Sequence, residues 1–134
     1  MKTAATIVVL GLLCLAASAP DSTGWVGEYT NKKFLDGRAV FQMSIEQSGG
    51  ANHIRFDAAW NDGHAAAPEA DGPGKLSGNT LTFKWEDSFQ NSGTGTITRS
   101  GTDIIVSLNT THVADPRCLA FYGKNMQLKR VTKK

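Results

Sequence analysis

The chain is 134 residues long, which is enough for one ordinary globular domain. Its formal net charge is only +2, which argues against electrostatically driven nucleic-acid binding. Glycine is frequent, at 14 residues, and helix-forming residues do not dominate, so a long coiled coil is excluded.

Residues 1–19 have the pattern of a secretory signal peptide. Lys2 is basic, an apolar stretch runs from Thr3 to Leu15, and small residues follow as far as Ala19. The apolar stretch, at about a dozen residues, is too short to anchor the chain across a bilayer. We therefore expect a cleaved signal peptide, secretion or export to the periplasm, no membrane span, and a single mature domain over residues 20–134.

Cys118 is the only cysteine of the predicted mature domain. An intramolecular disulfide is then impossible, so the domain must depend on its apolar core. The apolar neighbours Leu119, Ala120 and Phe121 favour a buried thiol that acts as a small hydrophobic side chain.

Two stretches between residues 39 and 60 alternate apolar and polar side chains, which is the period of a half-buried strand. The residues expected to face inward are Phe41, Met43 and Ile45 in the first stretch and Ile54, Phe56, Ala58 and Trp60 in the second. The short connection, residues 48–51, predicts an antiparallel hairpin.

Residues 64–75 carry little strand signal. They include Pro68 and the sequence Asp-Gly-Pro-Gly at 71–74, both of which disfavour regular pairing. We expect a short or irregular strand here, together with the longest loop of the domain.

Strand patterns return after residue 79. The expected inward residues are Leu81, Phe83 and Trp85, then, after a Gly/Thr-rich strand, Ile104, Val106 and Leu108. Gly93 and Gly95 within the Gly/Thr-rich strand predict a bulge or a bend. Residues 118–130 are expected to form one long strand or a hairpin broken at 123–125.

These patterns amount to about eight strands in simple sequential order. Without a disulfide, such a meander removes its exposed edges most economically by closing on itself. We therefore predict an all-β, antiparallel, up-and-down barrel. The alternative is a two-sheet β-sandwich.

The two ends of the domain resemble the calycin group, the small lipocalin-like and avidin-like barrels. In those families the first strand opens with a glycine and a tryptophan, and the tryptophan closes the barrel floor against a basic residue of the last strand. Here Gly24 and Trp25 match the opening, and Arg130 is the expected partner of Trp25. The resemblance implies the fold and transfers no ligand.

Aromatic residues are the strongest candidates for a binding site. Trp60 and Trp85 each end a predicted strand beside a polar turn, so we expect both at the barrel mouth, with Phe56 and Phe83 beneath them. Two indoles at a mouth would bind a flat or apolar group with little reorganisation. The alternative is that these rings simply fill the interior of the barrel.

The sequence carries no pattern typical of catalysis. The three histidines, His53, His64 and His112, lack the spacing of a metal site, and the carboxylates are scattered over polar faces and turns. Nucleophile and phosphate-binding motifs are also missing. We therefore expect no enzymatic activity, no metal and no cofactor.

The resulting hypothesis is a secreted or periplasmic, non-enzymatic binding protein that holds a small apolar or amphipathic ligand at the mouth of the barrel. The rival is an inhibitor or immunity-type protein that binds an exported protein through loops, with residues 64–74 as the recognition element. A hollow interior would favour the first and a filled interior the second.

Overall fold

The computed structural model describes residues 23–131, so the predicted signal peptide lies outside the described residues. The strands are β1 (Gly27–Lys33), β2 (Ala39–Ser48), β3 (Ala51–Trp60), β4 (Glu69–Ser77), β5 (Thr80–Asp87), β6 (Ser92–Ser100), β7 (Asp103–His112) and β8 (Met126–Arg130). Each pairs with the next in sequence, and β8 pairs with β1, all antiparallel. The predicted eight-stranded up-and-down barrel is confirmed, and the sandwich alternative is wrong.

The up-and-down order sends alternate connections to opposite ends of the barrel. Residues 34–38, 61–68, 88–91 and 113–125 lie at what we call the distal end. Residues 23–26 and the tight turns 49–50, 78–79 and 101–102 lie at the proximal end. The connections at the distal end are therefore the longer ones, and they carry the features described below.

The alternation predicted from the sequence matches the burial of side chains. The predicted inward residues that are buried are Phe41, Met43, Ile45, Ile54, Phe56, Ala58, Leu81, Phe83, Trp85, Ile104, Val106 and Leu108. Trp60 is the exception, because it is only half-buried at the distal end of β3. Burying one large apolar side chain stabilises a fold by about 1.5–3 kcal/mol, so this alternation supplies much of the driving force.

Trp25 closes the proximal end, but not with the predicted partner. Its indole is buried, and the guanidinium of Arg99 on β6 lies 5.4 Å from the ring centroid. Arg130 instead donates hydrogen bonds to the carbonyl oxygens of Gly24 (2.8 Å) and Val26 (2.9 Å). The carbonyl groups of Gly24 and Val26 bind Arg130, and Arg99 lies over the face of the indole. The predicted pairing of Trp25 with Arg130 is therefore wrong.

The weak strand expected within 64–75 is a regular nine-residue strand, β4 (Glu69–Ser77). A Cβ atom at Gly72 would overlap the carbonyl oxygen of Lys84, so glycine permits a close approach of β4 to β5. Pro73, which has no N–H to donate, falls where the β4–β5 pairing is interrupted. The loop predicted over 64–74 is therefore confined to residues 61–68.

The longest distal connection, residues 113–125, differs from the strand or hairpin expected over 118–130. Pro116–Phe121 form a 3-10 helix, and β8 begins only at Met126. Asp115 caps this helix by accepting a hydrogen bond from the backbone N–H of Arg117, and Pro116 occupies its first position. The predicted irregularity at Gly93 is confirmed by a register shift between Ser92 and Gly93.

Candidate functional site

Trp60 lies partly exposed at the distal end. The His64 ring lies nearly parallel to the indole, with centroids 5.1 Å apart and an angle of 21°. The Phe121 ring lies 5.2 Å from it on the barrel side, and the Arg38 guanidinium is 5.6 Å from the indole centroid. The indole is therefore held between apolar and cationic neighbours before any ligand arrives.

An open cavity of about 310 Å³ adjoins this indole. Its polar and charged lining consists of Arg38, Asn61, Asp62 and His64, which together with Trp60 we call the distal rim. Asp62 accepts hydrogen bonds from both the ring and the backbone N–H of His64, and these hold the pKa of Asp62 below its ordinary value. The rim thus places a carboxylate, a guanidinium and an aromatic face within one small surface.

The two loops that carry the distal rim contain unusual backbone conformations. Leu35, Asp36 and Gly37 all have positive φ, at 54°, 60° and 83°, and Ala65 has φ of 58°. Such conformations are costly for residues with a Cβ, and they persist where the surrounding structure fixes them.

Specific contacts fix these loops. The side-chain amide of Asn61 donates a 2.7 Å hydrogen bond to the carbonyl of Gly37, which joins one loop to the other. Ala66 and Pro68 are buried beneath the second loop. The distal rim is consequently a pre-formed surface, which lowers the entropy lost on binding.

The other three predicted ligand-binding residues lie inside the barrel. The Phe56 ring contacts Phe41 (5.4 Å), Trp85 (5.5 Å) and Phe83 (6.4 Å between centroids). The Trp85 indole N–H donates to the carbonyl of Thr94 at 3.0 Å, so its polar atom is satisfied by backbone. The structure therefore brings Phe56, Phe83 and Trp85 together, but as buried core rings, and leaves only Trp60 at the surface.

Phe121 and Tyr122 cover this cluster from the distal side. Phe121 is fully buried against Trp60, and the Tyr122 ring lies 4.8 Å from Trp85 and 5.9 Å from Phe56. Neither residue was predicted to belong to the site, because the apolar run that contains them matches a strand. Their position means that the interior near the distal end is filled by the chain's own side chains.

A buried polar network fastens this cover. The Asp87 carboxylate accepts hydrogen bonds from the Tyr122 hydroxyl (2.6 Å), the Asn91 side chain (2.9 Å) and the backbone of Phe89 (2.8 Å) and Asn91 (2.9 Å). The Asn91 carbonyl oxygen in turn accepts from the backbone N–H groups of Ala114 and Asp115. Each acceptor is engaged, so the arrangement is that of a structural clamp between residues 88–91 and 113–125.

Two titratable groups beside the clamp are held neutral. Burial, with the neighbouring Asp87 carboxylate as a smaller cause, raises the pKa of Tyr122 well above its ordinary value. Burial likewise raises the pKa of the Cys118 thiol to about 11. Cys118 is fully buried, as the sequence predicted, and as a neutral thiol it is a poor nucleophile.

The histidines do not converge. His53 lies on β3 with Nε2 3.5 Å from the Asp71 carboxylate, His64 pairs with Asp62 on the distal rim, and His112 ends β7. Within residues 23–131, no three His, Cys, Asp or Glu side chains are grouped so as to hold a metal ion. Over the same residues, no helix has the length and apolar character needed to cross a membrane.

Comparison with known proteins gives no relative from which a role for these residues could be inferred. The chain has no significant match among protein-family models, curated proteins or solved structures. The barrel is compatible with the calycin-like resemblance of the chain ends, and that resemblance rests on the sequence and the strand order alone.

Proposed function

We propose that the protein is a non-enzymatic recognition protein that binds an exported protein partner through the distal rim. The observation that carries this proposal is the half-buried Trp60 indole, fixed between His64, Arg38 and Phe121 at the edge of an open cavity. A rigid aromatic anchor beside an arginine is the usual composition of a binding hot spot.

The filled interior supports a protein partner over a ligand held in the barrel. Tyr122 occupies the place where a ligand would meet Phe56 and Trp85, and Phe121 is packed against Trp60. Recognition on such a scaffold falls to its loops, and two exposed apolar side chains, Val113 (47% exposed) and Leu119 (37% exposed), lie on the same end as the distal rim. An inhibitor of an exported hydrolase or an immunity-type protein would use a packed barrel in this way.

Site-specific photo-crosslinking in the host's exported fraction tests this proposal. A photoreactive side chain replaces exposed Ala67 in the 61–68 loop, and a matched one replaces exposed Thr102 at the proximal end. We expect one discrete adduct from position 67 only. Excess unlabelled protein should suppress it, whereas an excess of the Arg38→Ala/Trp60→Ala variant should not. Equal labelling from both positions, or equal competition by the variant, would refute the proposal.

A second candidate function is the binding of a small apolar or amphipathic ligand by Trp60, Trp85, Phe56 and Phe83. It is favoured by one observation: the side chains that cover this aromatic cluster, Phe121 and Tyr122, precede β8 and belong to no strand. A ligand would take the place of these two rings. A small mass retained in native mass spectrometry of the mature protein, and lost in Trp60→Ala/Trp85→Ala with the fold intact, would support this candidate.

A further inference from the structure

We propose that the protein self-associates head to tail, with a basic cleft on one wall of the barrel docking onto an acidic face on the opposite wall of a second copy. The basic cleft is defined by Lys32, Lys33 and Lys129, and the acidic face by Asp57, Glu69, Asp71 and Glu86.

The basic cleft lies along the seam where β1 meets β8. It is a cavity of about 410 Å³, and its other lining residues are Thr30, Asn31 and Gln127. Among the described residues that line the cleft, three carry an ammonium group and none carries a carboxylate. Such a cleft attracts a partner surface of negative charge.

The cleft is open because the β1–β8 pairing is short. The register ends at Thr30 opposite Lys129, although β1 continues to Lys33. The side-chain amide of Asn31 donates to the carbonyl of Gln127 at 3.3 Å, so a side chain bridges the strands where the regular ladder has stopped. The strands separate at this point, and the space between them is flanked by the lysines.

The acidic face lies on neighbouring strands β3, β4 and β5. Asp57 stands opposite Glu69, and Asp71 stands opposite Glu86 on one side and Arg55 on the other, so carboxylates outnumber the cation at these paired positions. A second cavity of about 410 Å³ is lined by Glu69 and Asp71, with Arg55 as the cation in its lining. Burial, and then repulsion from Glu69, raises the pKa of Asp57.

The closed strand order sets the geometry of the contact. The β1–β8 seam and the β3–β5 strands are about half of the eight-strand circumference apart. Lys129, Thr30, Gln42, Asp57 and Glu69 also follow one another across paired strands in a single row. Complementary patches on opposite walls cannot form a closed two-fold dimer, and therefore they link successive copies head to tail, in a ring or an open filament.

The test uses the purified mature protein and its charge-reversed variants. Exposed ion pairs are weak and screened by salt, so sedimentation velocity is measured at about 1 mM protein in about 10 mM and about 300 mM salt. We expect a sedimentation coefficient that rises with protein concentration at low salt and returns to the monomer value at high salt. Lys32→Glu/Lys129→Glu and Glu69→Lys/Asp71→Lys should each abolish that rise.

Mixing the two variants gives the decisive result. Lys32→Glu/Lys129→Glu carries negative charge on both walls, and Glu69→Lys/Asp71→Lys carries positive charge on both. An equimolar mixture of the two should therefore associate, although neither variant does alone. Lys75→Glu/Lys84→Glu makes the same change of charge on the strands that carry the acidic face, and it should still associate because the basic cleft is intact and the acidic face becomes more negative. Circular dichroism verifies that every variant is folded. A monomeric wild-type protein at low salt, association that survives either reversal, or a mixture that stays monomeric would overturn the proposal.

Discussion

The Tyr122 hydroxyl donates a 2.6 Å hydrogen bond to the Asp87 carboxylate, across 35 residues of sequence. This contact ties the connection before β8 to the end of β5, and it holds the Tyr122 ring against Trp85. The distal end is thus closed by an aromatic cover and a polar clamp that depend on each other.

Removing that hydroxyl should weaken the clamp without removing the cover. Tyr122→Phe keeps the ring on Trp85 but leaves a buried carboxylate oxygen with one donor fewer. We expect a loss of about 1–3 kcal/mol in the free energy of unfolding, measured by urea denaturation. The matched control is Phe89→Leu, which keeps the backbone donor to Asp87 and should cost less. Equal stability of Tyr122→Phe and the wild type would show that the clamp is not structural.

The two tryptophans at the distal end should respond differently to truncation. Trp85→Ala removes a buried core ring and should cost about 3–5 kcal/mol of stability. Trp60→Ala removes a half-buried ring whose faces contact His64 and Phe121, so its cost should be clearly smaller. Denaturant midpoints of the two variants under identical conditions give the comparison. A larger loss for Trp60→Ala would mean that Trp60 is a core residue and unsuited to recognition.

The arginines at the proximal end should also be unequal. Arg130→Ala removes hydrogen bonds to three backbone carbonyls, of Gly24, Val26 and Thr102, and to the Tyr29 hydroxyl. Bonds from a charged donor contribute about 1.5–3 kcal/mol each. Arg99→Ala removes a cation–π contact with Trp25 that is worth about 0.5–2 kcal/mol. Thermal unfolding should rank Arg130→Ala as the more destabilised variant. The reverse order would make Arg99 the principal closure of the barrel.

Protonation of Asp62 should depend on its partner His64. Hydrogen bonds from His64 lower the pKa of this carboxyl, so their contribution to stability is present above the ordinary pKa and is lost as the pH falls through the lowered one. His64→Ala should raise the pKa of Asp62 towards the ordinary value of 3.8. Carbon-detected NMR titration of the Asp62 carboxyl in the wild type and in His64→Ala measures this shift. An unchanged Asp62 titration would mean that the two side chains are not paired in solution.

Much of the fold could be read from the sequence because period-2 alternation reports directly on which face of a strand is buried. Phe41 to Ile45 and Leu81 to Trp85 follow that rule without interruption. The rule failed at β4, where Gly72 and Pro73 look like turn residues. Gly72 instead permits a close approach of two strands, and Pro73 lies in a gap of their pairing.

The candidate site was less predictable, because it depends on contacts between residues far apart in the chain. Trp60 was identified from its place beside a polar turn, and that place is where the structure has it. Sequence alone could not show that Phe121 would cover the interior, since an apolar run that forms a strand looks the same as one that folds over a barrel end. The prediction of Arg130 as the partner of Trp25 was wrong for a similar reason. Arg99 and Arg130 both lie at the proximal end, and only the backbone geometry decides which one stacks on the indole.

The Cys118 thiol provides a final test of the closed distal end. The side chain is fully buried and burial raises its pKa to about 11, so it should not react with a thiol reagent at pH 8 until the protein unfolds. The folded state binds this proton more tightly than the unfolded state, whose pKa is near 9.0. The associated stability is therefore present at neutral pH and decreases as the pH rises from about 9 towards 11.

The experiment compares thiol labelling in the wild type and in Tyr122→Phe. Unfolded protein in denaturant gives the full rate, and Cys118→Ser gives the background. Weakening the clamp should speed labelling of the native state by about tenfold for each 1.4 kcal/mol lost, because the reagent reads the population of opened molecules. Rapid labelling of the wild type at pH 8 would show that the distal connection opens freely, and would favour a ligand site beneath Phe121 and Tyr122 over recognition at the distal rim.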